Sequence, residues 1–148
     1  MSSCIFCDIA QGKSPCHQIY QDKNHLAFLS IFPNTEAFSI VITKKHYSSY
    51  FAHLPSDVLD GLVQASAKVA KLIDQAFPDV GRTGLIFEGF GVDHIHAKLF
   101  PMHGTSSHNW QQHSSSVDKF FHQYQGYISS HNGPRMDDKI LSQIAQKI

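Results

Sequence analysis

Apolar and polar residues alternate with period two over residues 93–100. Ile95, Ala97 and Leu99 fall on one side, and His94, His96 and Lys98 on the other, which is the pattern of a half-buried strand. The same alternation over 37–43 sets Phe38, Ile40 and Ile42 against Ser39, Val41 and Thr43. Residues 18–20 and 25–31 read as two short strands around the turn cluster Asp22-Lys23-Asn24. Residues 83–88 read as another, close enough to 93–100 in sequence to form an antiparallel hairpin with it. Between the third and fourth strands the period becomes helical: Val58, Leu59, Leu62, Val63, Val69, Ile73 and Phe77. Ser56 stands as its N-cap, Asp57 lies in the first turn, and Pro78 stops it. Ile140, Leu141, Ile144, Ala145 and Ile148 mark a short amphipathic helix over 137–148. Consecutive strands with short links and one long helix predict an α+β fold with a mostly antiparallel sheet.

The length of 148 residues suits one domain with a real core. No internal repeat is present, so a single domain over 1–148 is expected, with its core over about 4–101 and a polar C-terminal extension over 102–148. Hydrophobic residues make up 42% and charged residues 16%, which excludes a disordered chain. Lys plus Arg (12) balances Asp plus Glu (12), which argues against a nucleic-acid polymer as partner. A mononucleotide needs only a local positive site. The N-terminus has neither the basic start nor the apolar run of a leader, and no segment approaches the ~18 apolar residues of a membrane span. A cytoplasmic protein with no membrane partner is therefore expected. Its cysteines are then reduced, and Cys4 and Cys7 need a reading other than a structural disulfide. His103, His108, His113, His122 and His131 lie in Ser- and Gln-rich sequence after the histidine strand and read as solvated.

The face that carries His94, His96 and Lys98 is expensive to bury unless an anion or a metal pairs with it. A neutral imidazole is a good nucleophile towards phosphorus at pH 7. Cations and backbone N–H groups around the phosphoryl oxygens assist such chemistry. Lys98 and the Gly89-Phe90-Gly91 loop are the candidates for that role, because glycines let a phosphate approach the backbone. Cys4 and Cys7, spaced Cys-x-x-Cys, can chelate one tetrahedral zinc. Two more ligands are then needed, and Cys16, His17, His46 and His94 all remain open.

His94-Ile95-His96-Ala97-Lys98-Leu99-Phe100 resembles the signature of the histidine triad family, His-φ-His-φ-His-φ-φ with φ apolar. Cys4-Ile5-Phe6-Cys7-Asp8-Ile9, Asn24-His25-Leu26-Ala27-Phe28-Leu29-Ser30-Ile31 and Ile40-Val41-Ile42-Thr43-Lys44-Lys45-His46 resemble three further family segments, in the same order over roughly 4–101. The resemblance implies a five-stranded antiparallel sheet with one long helix, usually as a homodimer. It implies hydrolysis or nucleotidyl transfer at the α-phosphorus of a nucleoside phosphate derivative. His96 corresponds to the nucleophile, which forms a nucleotidyl-histidine intermediate. Phe28, Leu29, Ser30 and Ile31 would seat the nucleoside, with Ile5 or Phe6 as floor and Glu88 and Gly89 on the phosphate side. The Cys-x-x-Cys start resembles the branch in which a structural Zn2+ is held by residues corresponding to Cys4, Cys7, His46 and His94. Three positions depart from the pattern: Lys98 replaces the third histidine, Ser30 replaces an acidic residue, and Phe87-Glu88-Gly89 replaces an Asn-containing loop. These departures motivate an alternative, a nucleotide-binding regulatory or scaffold protein on the same fold with little catalysis.

Overall fold

A computed structural model describes residues 4–148. Residues 1–3, which begin both the N-terminal stretch and the 1–148 range discussed above, lie outside the described residues. The chain forms two compact units, Met1–Trp110 and Gln111–Ile148.

The first unit runs α1 (Ile5–Ala10), β1 (Gln18–Gln21), β2 (His25–Leu29), β3 (Ser39–Thr43), a 3-10 turn (Phe51–His53), α2 (Ser56–Ala76), β4 (Thr83–Ile86) and β5 (His96–Pro101). The strands form one sheet in the order β1-β2-β3-β5-β4, antiparallel throughout. With the later C-terminal helix this is the expected α+β architecture, and β4 and β5 pair antiparallel as their short link implies. Alternation gives the sheet two working faces. Ala27, Val41, Ala97 and Leu99 pack with Leu62, Ala65, Val69 and Ile73 of α2, each such Leu, Val or Ile contributing about 1.5–3 kcal/mol by leaving water. Leu26, Phe28, Ile40 and Ile42 look the other way, where Phe6, Ile9 and Ala10 of α1 cover them in part.

Several boundaries differ from the sequence reading. β5 begins at His96 rather than 93, because the chain before it bonds elsewhere: His94 N–H donates to the Val92 carbonyl (2.8 Å) and Ile95 N–H to the Tyr47 carbonyl (2.9 Å). The strands expected over 25–31, 37–43 and 83–88 shorten to β2, β3 and β4. Pro55, not Ser56, is the N-cap of α2, and no side chain caps it; the Pro55 carbonyl accepts from Val58 and Leu59 N–H (3.1 and 3.0 Å). Val63 sits on the apolar stripe yet stays 40% exposed, because α2 turns only its Leu62–Ala65–Val69–Ile73 line to the sheet. The six-residue α1 is too short for helical periodicity to show.

In the second unit, α3 (Asp138–Ala145) is the regular element, shorter than the 137–148 expected. Asp137 is its N-cap, accepting from Lys139 and Ile140 N–H (2.9 and 3.4 Å). Two of the histidines read as solvated have protein partners instead. His131 Nε2–H donates to the Lys119 carbonyl (2.9 Å), and in the first unit His103 lies between Asp79 and the Glu36 carbonyl (both 3.0 Å).

The β1–β2 turn is held by Asp22. Its carboxylate accepts from Asn24 N–H (2.8 Å), His25 N–H (2.7 Å), the Tyr20 hydroxyl (2.9 Å) and the His25 ring (3.0 Å). Partial burial pushes this acid up, but the hydrogen bonds outweigh it and hold its pKa at about 2. An acid depressed in the folded state stabilises above its unfolded pKa of about 3.9, and that contribution is lost as pH falls towards 2. Asp22→Asn is expected to lose about 1–2 kcal/mol at pH 7 after allowance for solvent screening. Urea unfolding followed from pH 7 to pH 2 checks this: the gap between variant and native chain should close below about pH 4.

Candidate active site and metal centre

The bend before β5 builds both halves of the site. His94 is fully buried. Its Nε2 lies 2.7 Å from the Thr43 carbonyl. A carbonyl only accepts, so Nε2 carries the proton and the Nδ1 lone pair is turned the other way. It faces sulfur: Nδ1 is 3.5 Å from Cys4 Sγ and 3.5 Å from Cys7 Sγ, and His46 Nδ1 is 3.4 Å from Cys7 Sγ. The four ligand atoms all lie within 4.8 Å of one another. Tetrahedral bonds of about 2.3 Å to sulfur and about 2.0–2.1 Å to nitrogen would place such a nitrogen and sulfur about 3.6 Å apart. The spacing therefore suits a shared cation as well as weak thiol hydrogen bonds. Burial, then the adjacent Cys4 thiol, pushes the Cys7 thiol up, so a cation would supply the charge that lets Cys7 ionise. Cys16 instead joins the apolar face near Leu26 and Phe28, and His17 serves β2 through its backbone carbonyl, which accepts from Leu29 N–H (3.0 Å).

His96 is 4% exposed. Its Nδ1–H donates to the His94 carbonyl at 2.7 Å, which leaves Nε2 as the basic, nucleophilic nitrogen. Burial lowers its pKa; the His94 carbonyl opposes this, and the charge of Lys98 lowers it further. The ring is thus held in its neutral form. The Phe6 ring packs edge-on against it, centroids 5.3 Å apart, and also against Phe28 at 5.6 Å. Lys98 shares the sheet face of His96, pairing across β3 with Ile40 as His96 pairs with Ile42. Its ammonium donates to the Glu88 carboxylate.

The remaining sequence candidates divide. Phe6 and Phe28 join His96 directly. Leu29 and Ser30 are half-buried at the end of β2, and Ser30 Oγ accepts from Phe32 N–H (3.2 Å). Ile31 is 73% exposed, beyond the strand. Gly89 adopts φ +81° and Gly91 φ +91°, a backbone region open to glycine, and the Gly89 carbonyl accepts from the Ser49 hydroxyl (2.7 Å).

Sequence reasoning passed over two supports, Thr43 and Asp93, and placed Glu88 on the phosphate side without its pairing to Lys98. Thr43 acts through its carbonyl. Asp93 accepts from Ser49 N–H (2.9 Å) and the Ser48 hydroxyl (3.2 Å), which ties the loop after His46 to the bend. Glu88 engages Lys98. Backbone acceptors leave no residue signature, although the acid directly before His94 was a visible hint.

An antiparallel α+β sheet bearing a His-x-His strand, with a Cys2His2 cluster beside it, defines the class. A family model for the HIT domain matches residues 11–105, and the protein belongs to this histidine triad family. It is 32% identical over 100 residues to an adenosine 5'-monophosphoramidase of Schizosaccharomyces pombe, covering 67% of this chain and 74% of that one. A crystal structure of a Streptococcus mutans protein aligns with a TM-score of 0.70 at 26% identity, over 99% of this chain and 83% of that one. A zinc-bound histidine triad protein of Mycobacterium smegmatis shares the fold at 24% identity and a TM-score of 0.65, covering 76% of this chain and 84% of that one.

Proposed function

We propose that this protein is a nucleotide hydrolase or nucleotidyltransferase acting at the α-phosphorus of a nucleoside phosphate derivative. The observation that carries this reading is the His96 ring: buried, neutral, and fixed by the His94 carbonyl so that Nε2 bears the lone pair. In the first step Nε2 attacks phosphorus, a P–N bond forms, and the bond to the leaving group breaks with its electron pair going to that group. The developing charge on the imidazole is stabilised through Nδ1–H by the carbonyl. Water then attacks phosphorus: a P–O bond forms, the P–N bond breaks with its electron pair returning to Nε2, and the proton lost by water passes to the departed leaving group or to solvent. Lys98, in the place of the third histidine, supplies positive charge to the phosphoryl oxygens. Phe6, Phe28, Leu29 and Ser30 form the wall for base and ribose, with Ile31 at its outer end and Glu88 and Gly89 on the phosphate side. Likeness to a phosphoramidase favours phosphoramidates among the substrate classes.

Mixing the protein with adenosine 5'-phosphoramidate, quenching in mild base and weighing the intact chain is expected to give a nucleotidyl adduct. His96→Ala should lose the adduct and nearly all turnover. Neither adduct nor turnover across a broad nucleotide panel would sink the reading.

The Lys98–Glu88 pair favours a second reading, a nucleotide-binding scaffold with little catalysis. Lys98→Met distinguishes them. On the enzyme reading it lowers kcat/KM by about 10²-fold, the cost of removing one charged donor from the transition state. On the scaffold reading, nucleotide binds while turnover in the native chain is no faster than in His96→Ala.

The Cys4, Cys7, His46 and His94 cluster would hold a structural Zn2+, since four protein ligands leave no open position. Bound there, the ion supplies cross-linking charge between α1 and the bend rather than Lewis-acid chemistry. Cys7→Ser is expected to lower zinc content measured by mass spectrometry from about one per chain to a small fraction and to lower Tm. Unchanged zinc would refute the assignment.

A homodimer is the family's usual state. β4 is an open sheet edge here, with Leu85 (41%) exposed on it and Phe51 (41%) and Val63 (40%) also exposed.

A further inference from the structure

A polar cavity lies on the opposite face of the sheet from His96. In the β2–β3 register His25 stands across from Thr43 and Ala27 across from Val41. Ala27 and Val41 pack towards α2, so His25 projects to that side, whereas His96 belongs to the Ile42 side. The cavity has a volume of about 500 Å³, and its lining includes Lys23, His25, Lys44, Lys45, Asp57 and Gly61.

His25 is 8% exposed. Its Nδ1 is held by both Asp22 carboxylate oxygens (3.0 and 3.1 Å), so Nδ1 carries a proton and Nε2 is directed away from Asp22. Nε2 has no hydrogen-bond partner among the described residues. No side-chain nitrogen or oxygen among them is both sealed from solvent and unsatisfied, so Nε2 is reached through the cavity. The room it faces exists because residue 61 is glycine: a Cβ there would stand 3.4 Å from His25 Cε1 and 3.5 Å from Nε2.

The charges around this nitrogen select the ligand. Three lysines, Lys23, Lys44 and Lys45, line the cavity against one acid, Asp57, with the Asp22 carboxylate on the far side of the His25 ring. Lys44 is engaged with Gln21 Oε1 (3.3 Å) and the Asp22 carbonyl, and Lys45 lies over the Tyr47 ring (5.3 Å). An orphan imidazole nitrogen among cations suits an anion that can share a proton. Inorganic phosphate has an O–H to donate when Nε2 is bare, as does a phosphate monoester in its monoanion form below a second pKa of about 6, and both offer an oxygen to accept when Nε2 is protonated. A carboxylate or a halide lacks that O–H at neutral pH. We propose that the His25 cavity is a second ligand site, separate from the His96 centre, that binds a phosphate group through His25 Nε2, Lys23 and Lys45.

The test is an amide and histidine-ring NMR titration of the full chain with inorganic phosphate, with AMP, and with chloride at matched ionic strength. Phosphate is expected to shift the His25 ring nitrogens and the Lys23, Asn24 and Lys45 amides saturably. AMP shifting the same set shows that a phosphate ester is admitted. Phosphate acting without AMP restricts the ligand to free phosphate and leaves the site standing. Gly61→Ala covers Nε2 with a methyl at ordinary contact distance and favours the helix, so it should fold and weaken phosphate binding about tenfold, the scale of one charge-assisted hydrogen bond. Lys23→Glu, at an exposed position, should weaken it similarly. Shifts confined to residues around His96 and Gly89, shifts reproduced by chloride, or affinities unchanged in both variants would overturn the proposal.

Discussion

One residue orients everything else in the site, and it does so through its backbone as well as its ring. His94 gives its Nε2–H to the Thr43 carbonyl and receives, on its own carbonyl, the Nδ1–H of His96. The first bond turns the His94 lone pair to the Cys4 and Cys7 sulfurs. The second leaves the His96 lone pair on Nε2, directed away from the His94 carbonyl. Two imidazoles two residues apart thus present opposite nitrogens to opposite tasks. The acceptors that enforce this are main-chain carbonyls, which cannot titrate or rotate away. A site built this way tolerates side-chain change around it better than a shift of the bend.

The bend itself depends on departure from regular strand geometry. His94 keeps its ring on the side of His96, where Phe6 packs edge-on against both (centroids 5.9 and 5.3 Å apart), but it lies outside the ladder: Ile95 N–H is taken by the Tyr47 carbonyl and Asp93 is tied to Ser48 and Ser49. His94 is thereby packed inwards beside His46, ring centroids 5.1 Å apart. The segment between β3 and α2 is therefore part of the site, although it holds no group that touches phosphorus.

What the chain's residues disclosed follows from which interactions leave a periodic trace. Alternation placed Ile40 with Ile42 on one side of one strand and His96 with Lys98 on one side of another, because the side-chain period of a strand survives in sequence whatever its neighbours do; that the two sides share one face of the sheet follows from the register. The same reasoning placed the long helix and the β4–β5 hairpin. The four members of the Cys2His2 cluster come from α1, the loop after β3 and the bend, so spacing alone left Cys16 and His17 as equal candidates; likeness to the family separated them before any geometry did. The Thr43 carbonyl, the Pro55 cap and the Lys98–Glu88 pair were invisible for a different reason. Each depends on where the backbone goes rather than on which residue type occupies a position. Val63 shows the converse: it obeys the helical pattern yet stays partly exposed, because the period marks a stripe and not what covers it.

The Lys98–Glu88 pair bears on the proposed chemistry through its charge. An imidazole at that position can be neutral or cationic and can pass a proton; an ammonium held by a carboxylate is a fixed dipole. On the proposed reading, a phosphoryl oxygen entering beside His96 meets the positive end of that dipole, while the Glu88 carboxylate behind it offsets part of the attraction. Ground-state binding of a highly charged phosphate then gains little. The gain is larger in the transition state, where charge on the oxygens nearest Lys98 grows while Glu88 stays put. Such an arrangement suits leaving groups that need little proton help and substrates with few negative charges at phosphorus. The phosphoramidate class meets the charge condition better than a long polyphosphate, because its single phosphoryl group brings the least charge to the pair; its nitrogen must take up a proton before it leaves, and with Lys98 held by Glu88 that proton has to come from water or from the substrate itself.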